Sequence, residues 1–247
     1  MAEITKVFVS DKGEEKIIRF DIHQIIQHAI LMVSFTLLVI TGFPMKFHTH
    51  PFSQWWVGIL GGIEAVRSVH HFAAWLMIIL CLYHLVYITY STLLLKRPHP
   101  IKMTPSIQDF VHLLQELQYF TGLSKEKPKF DRFNWREKFE YWAIVWGIVV
   151  MAGSGFILMY PVLATTAMPG WIIPTALVVH GYEAMIALSW ITLVHIFFSH
   201  FAPGIFPLDT SIFTGKVPKE RYHRDHPLEY KRLMETNIET NNGEEAK

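Results

Sequence analysis

Four apolar stretches of this chain constrain its fold more than any other feature. Each approaches or exceeds the ~20 residues that an α-helix needs to cross a bilayer, and hydrocarbon leaves backbone polar groups no partner outside the helix. The first stretch begins some 25 residues into the chain and lacks a small-residue cleavage site, so we do not interpret it as a signal peptide. We predict an all-α, integral membrane four-helix bundle in a single domain, 1–247. Its predicted spans are about 25–47, 69–95, 140–163 and 174–202, followed by a tail at 203–247.

The positive charges predict how these spans are oriented. Of 22 Lys and Arg residues, four precede the first span, nine lie between Lys96 and Lys138, and seven lie from Lys216 onward. Only Lys46 and Arg67 fall elsewhere. Since positively charged loops stay in the cytoplasm, both termini and the long central loop should be cytoplasmic. The sequence thus predicts a multi-pass protein of a bacterial-type inner (cytoplasmic) membrane.

The segments between and around the spans carry weaker patterns. In the central loop, SIQDFVHLLQELQYF has apolar residues at helical spacing, which predicts an amphipathic helix on the inner membrane surface or docked on the bundle. Residues 1–20 include the alternating TKVFVS, which predicts a short strand or an extended arm. The TGFP run at 41–44 should loosen or end the first helix. Because Cys81 is the single cysteine, a disulfide or a cysteine-bound iron–sulfur cluster within this chain is excluded.

Two pairs of histidines lie inside the second and fourth spans. His70 and His84 are 14 residues apart, and His180 and His195 are 15 apart. On a helix each pair covers roughly 21–23 Å, and the two residues of a pair are within about 40–60° of each other, so they share one side. Imidazole is costly in hydrocarbon and usually has a function there. Two such helices could hold two stacked cofactors, and haem is the obvious candidate because neutral imidazole is a common axial iron ligand.

A further histidine, His28, lies in the first span close to the level of the two inner histidines. Counted from Phe47 at the outer end of that span, it lies 19 residues down, which is ~28 Å along a helix. Three histidines therefore compete for one inner haem. Spacing alone favours His84 with His195, because this pair mirrors His70 with His180.

Several motifs occur in a characteristic order along nearly the whole chain. They are QHAILMVSFTLLVITGFPMKF in the first span, VRSVH opening the second, FNWREKFEYW entering the third, the histidine pair of the fourth, and GKVPKERYHRDHPLEY in the tail. In this the chain resembles the cytochrome b (gamma) subunits of membrane-bound formate dehydrogenases and nickel–iron hydrogenases. The resemblance implies an outer haem bound by His70 and His180, and an inner haem bound by His28 and His195.

His84 departs from the pattern of those subunits. The second span also resembles the helix of respiratory cytochrome b that carries two haem histidines 14 residues apart. The resemblances together favour His28 as the inner ligand and keep His84 as its rival. A third haem that uses both histidines stays an open alternative.

The resemblance implies an electron-transfer subunit of a quinone-linked oxidoreductase complex, with no catalytic residue of its own. The expected partners are an iron–sulfur or multihaem cytochrome subunit of a dehydrogenase or reductase at the outer face, menaquinone or ubiquinone, and membrane lipid, but no nucleic acid. Bis-imidazole ligation leaves no open iron position, which favours electron transfer over oxygen chemistry. Asn134 occupies the place of a quinone-pocket asparagine of the family. Glu137 stands where the relatives usually have Gln, and His200 resembles the quinone-site histidine of respiratory cytochrome b.

One intramembrane carboxylate and two other functions complete the prediction. Glu183 lies one turn inward of His180 in a span without Lys or Arg, so it is a functional candidate. A stand-alone haem b superoxide:quinone oxidoreductase could use the same bundle, although the long loop and the tail suit a docking surface better. A histidine-lined metal or proton transporter would leave unexplained the small residues that follow the outer histidines. A reduced-minus-oxidised visible spectrum separates a cytochrome from a transporter.

Overall fold

The fold is given by a computed structural model that describes residues 7–9, 13–97 and 99–235. Contacts between residues divide the chain into two compact units, each assembled from segments that are distant in sequence. The first unit comprises Met1–Ile25, Tyr87–Trp142 and Thr210–Lys247; the second comprises Ile26–Val86 and Ala143–Asp209.

Most of the described chain is helical, as its apolar stretches predict. The helices are α1 (Ile22–Lys46), α2 (Pro51–Ile59), α3 (Ile63–Thr89), α4 (His99–Lys102), α5 (Ile107–Phe120), α6 (Trp135–Met159), α7 (Pro161–Ala167), α8 (Ile172–Trp190), α9 (Ser211–Thr214), α10 (Lys219–Asp225) and α11 (227–235). Helix α3 continues into a π-helical turn at Tyr90–Leu94, and α8 continues into two, at Ile191–His195 and Phe197–Phe201.

Four of the described helices are long and apolar enough to cross a membrane, which confirms the four predicted spans. They are Ile22–Lys46, Ile63–Leu94, Trp135–Met159 and Ile172–Phe201. Helices α3 and α6 begin several residues before the predicted spans because their first turns are polar. In α3, for example, Arg67 and Glu64 form an ion pair of 2.9 Å on the helix surface. A prediction based on apolar stretches of the sequence misses such a polar first turn, although its backbone is already helical.

Of the two outcomes predicted for the TGFP run, that it loosens or ends the first helix, the second is wrong. Helix α1 continues through Pro44 to Lys46. Proline has no backbone N–H, so the carbonyl of Ile40, four residues earlier, loses its usual helical donor. The indole N–H of Trp56 donates to that carbonyl at 3.0 Å. A side chain of α2 thus replaces the missing helical hydrogen bond, and the helix can pass the proline.

A small three-stranded sheet in the first unit joins a segment that precedes the first span to one that follows the fourth. Its strands are β1 (Val7–Val9), β2 (Glu15–Ile18) and β3 (Lys216–Pro218), antiparallel in the order β1-β2-β3. Ile17 pairs with Val217, and both are buried with Tyr222 in a small hydrophobic core. Gly215 precedes β3 with φ +74°, and a Cβ atom there would lie 2.5 Å from the carbonyl oxygen of Phe20. The strand predicted within residues 1–20 is confirmed, and the tail's Gly-x-Val motif is explained by this pairing.

A buried polar network in the same unit is centred on His226. Its Nδ1–H donates to the backbone carbonyl of Asp131 at 2.7 Å, and the Arg19 guanidinium donates to its Nε2. Nearby, Arg132 donates to the backbone carbonyl of Arg19 (2.9 Å) and to the buried Glu229 carboxylate (3.3 Å). With one ring nitrogen donating and the other accepting, His226 is held as the neutral imidazole. Burial and the adjacent Arg19 lower the pKa of His226.

This network predicts an acid-sensitive first unit. An unfolded histidine binds a proton below about pH 6.5, whereas folded His226 resists it, so stability is full above that pH and falls as the pH drops below it. We expect hydrogen-exchange protection of the β2 and β3 amides, corrected for intrinsic rates, to decrease between pH 7.5 and 5.5. A His226→Gln variant can still donate and accept hydrogen bonds but cannot titrate, and its protection should change less. Equal pH dependence in the two proteins would contradict the assignment.

Candidate functional site

The two histidines of the predicted outer pair face each other in the first halves of α3 and α8. The ring centroids of His70 and His180 are 6.3 Å apart, with an angle of 65° between the ring planes. A bond from a transition metal to an imidazole nitrogen is about 2 Å long and the ring centre lies about 1 Å further back, so two imidazoles on opposite sides of one metal have centroids about 6 Å apart. The separation of the pair therefore suits a shared metal.

Each outer histidine is held by a hydroxyl group from a neighbouring helix. Thr41 Oγ1 lies 2.9 Å from His70 Nδ1, and Ser154 Oγ lies 3.0 Å from His180 Nδ1. Both hydroxyls donate their own proton to a backbone carbonyl one turn earlier in their helix, at 2.6 Å in each case. They must therefore accept from the imidazoles, which places the proton on Nδ1. The Nε2 atom of each ring then carries the lone pair that a metal needs.

A glycine follows each of these hydroxyl residues and makes room for the imidazole. A Cβ atom on Gly42 would lie 3.2 Å from Cε1 of His70, and one on Gly155 would lie 3.3 Å from Cε1 of His180. Any larger side chain would force the ring to move. The dipeptides Thr41-Gly42 in α1 and Ser154-Gly155 in α6 thus support the two histidines in the same way. Sequence reasoning missed this role, although a hydroxyl residue followed by glycine in two of the spans is a visible signal.

The inner pair is formed by His28 of α1 and His195 at the end of the first π turn after α8. Their ring centroids are also 6.3 Å apart, with ring planes at 37°. Nδ1 of His28 is buried and has no hydrogen-bond partner among the described residues. Unlike the two outer histidines, His28 thus has no hydroxyl acceptor for Nδ1 among these residues. The inner pair matches the outer pair in separation.

His84, the rival inner ligand, is held by a different residue. Its Nδ1 lies 2.6 Å from Oε1 of Gln27, which can only accept, so His84 donates this bond. Gln27 is one of the few polar side chains buried in α1. This bond alone would also leave Nε2 of His84 free for a metal. It is the 6.3 Å separation of the His28 and His195 rings that favours His28 as the partner of His195, in agreement with the family resemblance and against the spacing argument.

The π turn before His195 explains the unequal spacing of the two histidine pairs in sequence. A π turn closes its hydrogen bond over five residues rather than four, so it holds one residue more than an α turn. The turn at Ile191–His195 lies between His180 and the end of the span. The 15-residue separation therefore behaves like 14 residues in a regular helix, and the offset of about 60° expected for a regular helix does not apply.

The candidate quinone residues of the first unit cap a helix. Glu137 N–H donates to Asn134 Oδ1, and Asn134 N–H donates to Glu137 Oε2, each at 2.9 Å. This reciprocal pair satisfies backbone donors at the start of α6. Arg19 donates to the other oxygen of the Glu137 carboxylate at 2.5 Å. Helix capping and an ion pair account for both side chains without a quinone.

The third candidate, His200, lies in the second π turn after α8, in the same unit as the inner histidines. The backbone N–H of Asp209 donates to its Nδ1 at 3.3 Å, so the ring proton is on Nε2. His200 follows His195 by five residues, about one turn further along the same helical segment. His200 therefore combines a donor nitrogen with a position near the inner pair.

Glu183 lies against α6 in the second unit. A Cβ atom on Gly147 would lie 3.1 Å from Oε1 of Glu183, so the glycine makes room for the carboxylate. The carboxylate is partly buried. The short distance between the Glu183 carboxylate and Gly147 shows that α6 and α8 pack closely at this point.

The histidine pairs fit a metal that brings its own equatorial ligands. Among the described residues there is no group of three or more His, Cys, Asp or Glu side chains arranged to hold an ion. A bare zinc or copper ion between two imidazoles would lack ligands. Haem would supply four ring nitrogens to the iron, and the two imidazoles of each pair would supply the remaining ligands.

A family profile for prokaryotic cytochrome b561 matches residues 19–210. The chain belongs to this family. It is 24% identical over 228 residues to the cytochrome b556(fdo) subunit of formate dehydrogenase from Escherichia coli strain K12, covering 91% of this chain and 97% of the relative. The same subunit from the E. coli strains O6:H1 (CFT073) and O157:H7 gives the same values. The predicted resemblance to formate dehydrogenase cytochrome subunits is confirmed. The cytochrome b561 member described here is a multi-pass membrane cytochrome for electron transport, and its family implies haem b.

Proposed function

We propose that this chain binds two haem b groups, the outer one through His70 and His180 and the inner one through His28 and His195. The observation that carries the proposal is the equal 6.3 Å separation of the two histidine pairs. Bound haem would supply one-electron redox chemistry at both levels. The histidines of each pair would hold its iron, the hydroxyls of Thr41 and Ser154 orient the outer rings, and the apolar helices would exclude water.

We further propose that the whole chain is one cytochrome b domain that passes electrons between an outer redox subunit and the quinone pool. The relatives are subunits of formate dehydrogenase and match over 97% of their length, which supports assembly with an iron–sulfur or multihaem subunit of a dehydrogenase or reductase complex. The stand-alone superoxide:quinone oxidoreductase is the less favoured function, because the long central loop and the tail suit a surface that docks a partner subunit.

The proposed topology in the inner membrane has both termini and the central loop in the cytoplasm. It follows from the segregation of 20 of 22 Lys and Arg residues onto three segments. A reporter fused after Lys247, or inserted near Lys125, should report a cytoplasmic location, and one in the 161–179 loop should report the outside. An alkaline phosphatase and green fluorescent protein pair gives both readouts. The reverse pattern would put His70 and His180 at the inner face and contradict the proposed topology.

Helix α5 in the central loop is proposed to lie in the inner membrane surface with its apolar side outward. Its polar side faces the protein: Glu116 is buried and accepts from the Trp135 indole at 2.7 Å, and Lys138 donates to Asp109 at 3.0 Å. The opposite side is exposed, and it carries Ile107, Phe110, Val111, Leu114 and Leu117. An exposed apolar face tethered to membrane helix α6 suits lipid.

Of the three quinone candidates we propose His200, with the Nε2–H group available to a quinone oxygen, and not Asn134 or Glu137. We expect His200→Gln to slow haem reduction by a quinol at least tenfold while dithionite still reduces all haem, since the substitution removes a titratable donor. The measurement is stopped-flow absorbance with a soluble menaquinol or ubiquinol analogue. His48→Gln, in an exposed outer loop, is the matched control and should leave the rate unchanged. An unchanged rate in His200→Gln would place the quinone elsewhere.

A further inference from the structure

Buried hydroxyl groups distinguish the ligands of the outer histidine pair from His28 of the inner pair. Thr41 and Ser154 are 1% and 7% exposed, and they accept the Nδ1–H of His70 and His180. Nδ1 of His28 is buried and has no such partner among the residues described. Both outer ligands therefore have a hydroxyl acceptor on Nδ1, whereas at least one inner ligand, His28, does not within the described part of the chain.

A hydrogen bond donated by the far nitrogen of an imidazole makes the ligating nitrogen a stronger donor. A stronger donor stabilises the oxidised, more positively charged iron relative to the reduced iron, and so lowers the reduction potential; hydrogen bonding around the ligands is one of the means by which proteins tune haem. In hydrocarbon such a bond is screened very little by water. Two of these bonds act on the outer site.

The same two residues also limit how the rings can turn. Each hydroxyl is fixed by its bond to a carbonyl in its own helix, and the following glycines, Gly42 and Gly155, lie against Cε1 of the rings. The hydroxyl and the glycine backbone contact neighbouring atoms of one ring. They therefore fix the ring rotation as well as the tautomer.

We propose that Thr41 and Ser154 are positioning residues that lower the reduction potential of the outer haem site relative to the inner one. The proposal rests on the ligand sets proposed above. One electron then moves downhill from the outer site, which is oxidised, to the inner site, which is reduced, with no bond broken and no proton moved. The reduced redox subunit supplies the electron at the outer face, and quinone accepts it at the inner one.

The test is a spectroscopic redox titration of the purified holoprotein and its variants. Thr41→Val and Ser154→Ala remove the hydroxyls at nearly constant volume, and each should raise the reduced-to-oxidised ratio of the outer haem at a fixed potential by up to tenfold, about 59 mV for one electron. The conservative variant Thr41→Ser should restore the wild-type value. Ser34→Ala is the matched control, because Ser34 is a buried hydroxyl of α1 that bonds the Ile30 carbonyl at 2.8 Å.

Each result has a definite meaning. A rise confined to the outer haem, with a changed low-spin electron paramagnetic resonance signal and rescue by serine, supports the proposal. An unchanged or lowered outer potential, an equal shift of both haems, or an equal shift in Ser34→Ala overturns it while leaving the di-haem function intact. If the Thr41→Val variant loses its haem, the potential of the outer haem in Ser154→Ala and in Thr41→Ser tests the proposal in the same way. Failure of the proposed function is distinct, because the wild type would then lack a second haem.

Discussion

Replacing His70 or His180 by alanine should remove one haem per chain and leave the other in place. The two rings are at the separation of a pair that shares one iron, and each has its Nδ1 proton held by a hydroxyl, which directs Nε2 to the metal. Loss of either axial ligand leaves the macrocycle held on one side only. We therefore expect the two substitutions to have the same effect, a fall from two haems to one in the pyridine haemochrome assay.

A neighbouring histidine provides the control for this experiment. His71 follows His70 in α3, but successive helical residues point about 100° apart, so His71→Ala should keep both haems. Haem loss from only one of the two substitutions, His70→Ala or His180→Ala, would break the proposed pairing. Loss of both haems with intact membrane insertion would mean that the two sites do not fold independently.

The second large effect should separate His28 from His84. We expect His28→Ala to lose the inner haem and its reduction by quinol, because the rings of His28 and His195 are 6.3 Å apart, the separation of a pair that shares one metal. His84→Ala should keep low-spin haem at full stoichiometry and only shift a potential, because His28 and His195 would already provide the two histidine ligands of the inner iron. Visible spectra and haem content after purification in the same detergent measure both outcomes.

The two single variants are interpreted together with a third. His195→Ala should abolish the inner haem under either pairing. This variant therefore tests whether His195 is a ligand, but it does not identify the second histidine. Full low-spin haem in His28→Ala together with loss in His84→Ala would reverse the assignment. Loss of a different haem in each of the two variants would mean three haems.

Most of the membrane fold could be predicted from the sequence because it depends on composition over long windows. The four spans follow from apolar length, and the strand before the first span follows from alternation. The passage of α1 through Pro44 could not be predicted, because it depends on the indole of Trp56, sixteen residues away, reaching the carbonyl of Ile40. A local rule for proline cannot include a donor from another helix.

The candidate site was predictable in its residue types but not in its pairing. Equal spacing predicts His84 with His195 because it matches depth along two helices, but depth does not specify which ring lies beside His195. The 6.3 Å separation of the His28 and His195 rings depends on how the helices pack, which spacing along one helix does not contain. Thr41 and Ser154 were not recognised because a hydroxyl in a span is ordinarily explained by its bond to the preceding turn. Their second bond, to histidine, depends on the packing of helices against each other.

The measurement that tests the central claim most directly is the haem content of the purified chain, combined with a reduced-minus-oxidised spectrum and a redox titration. The account predicts two haem b groups per chain, both low-spin with bis-imidazole bands, titrating in two one-electron steps. A single haem, a high-spin iron with an open position, or no b-type bands after expression with sufficient haem would contradict it.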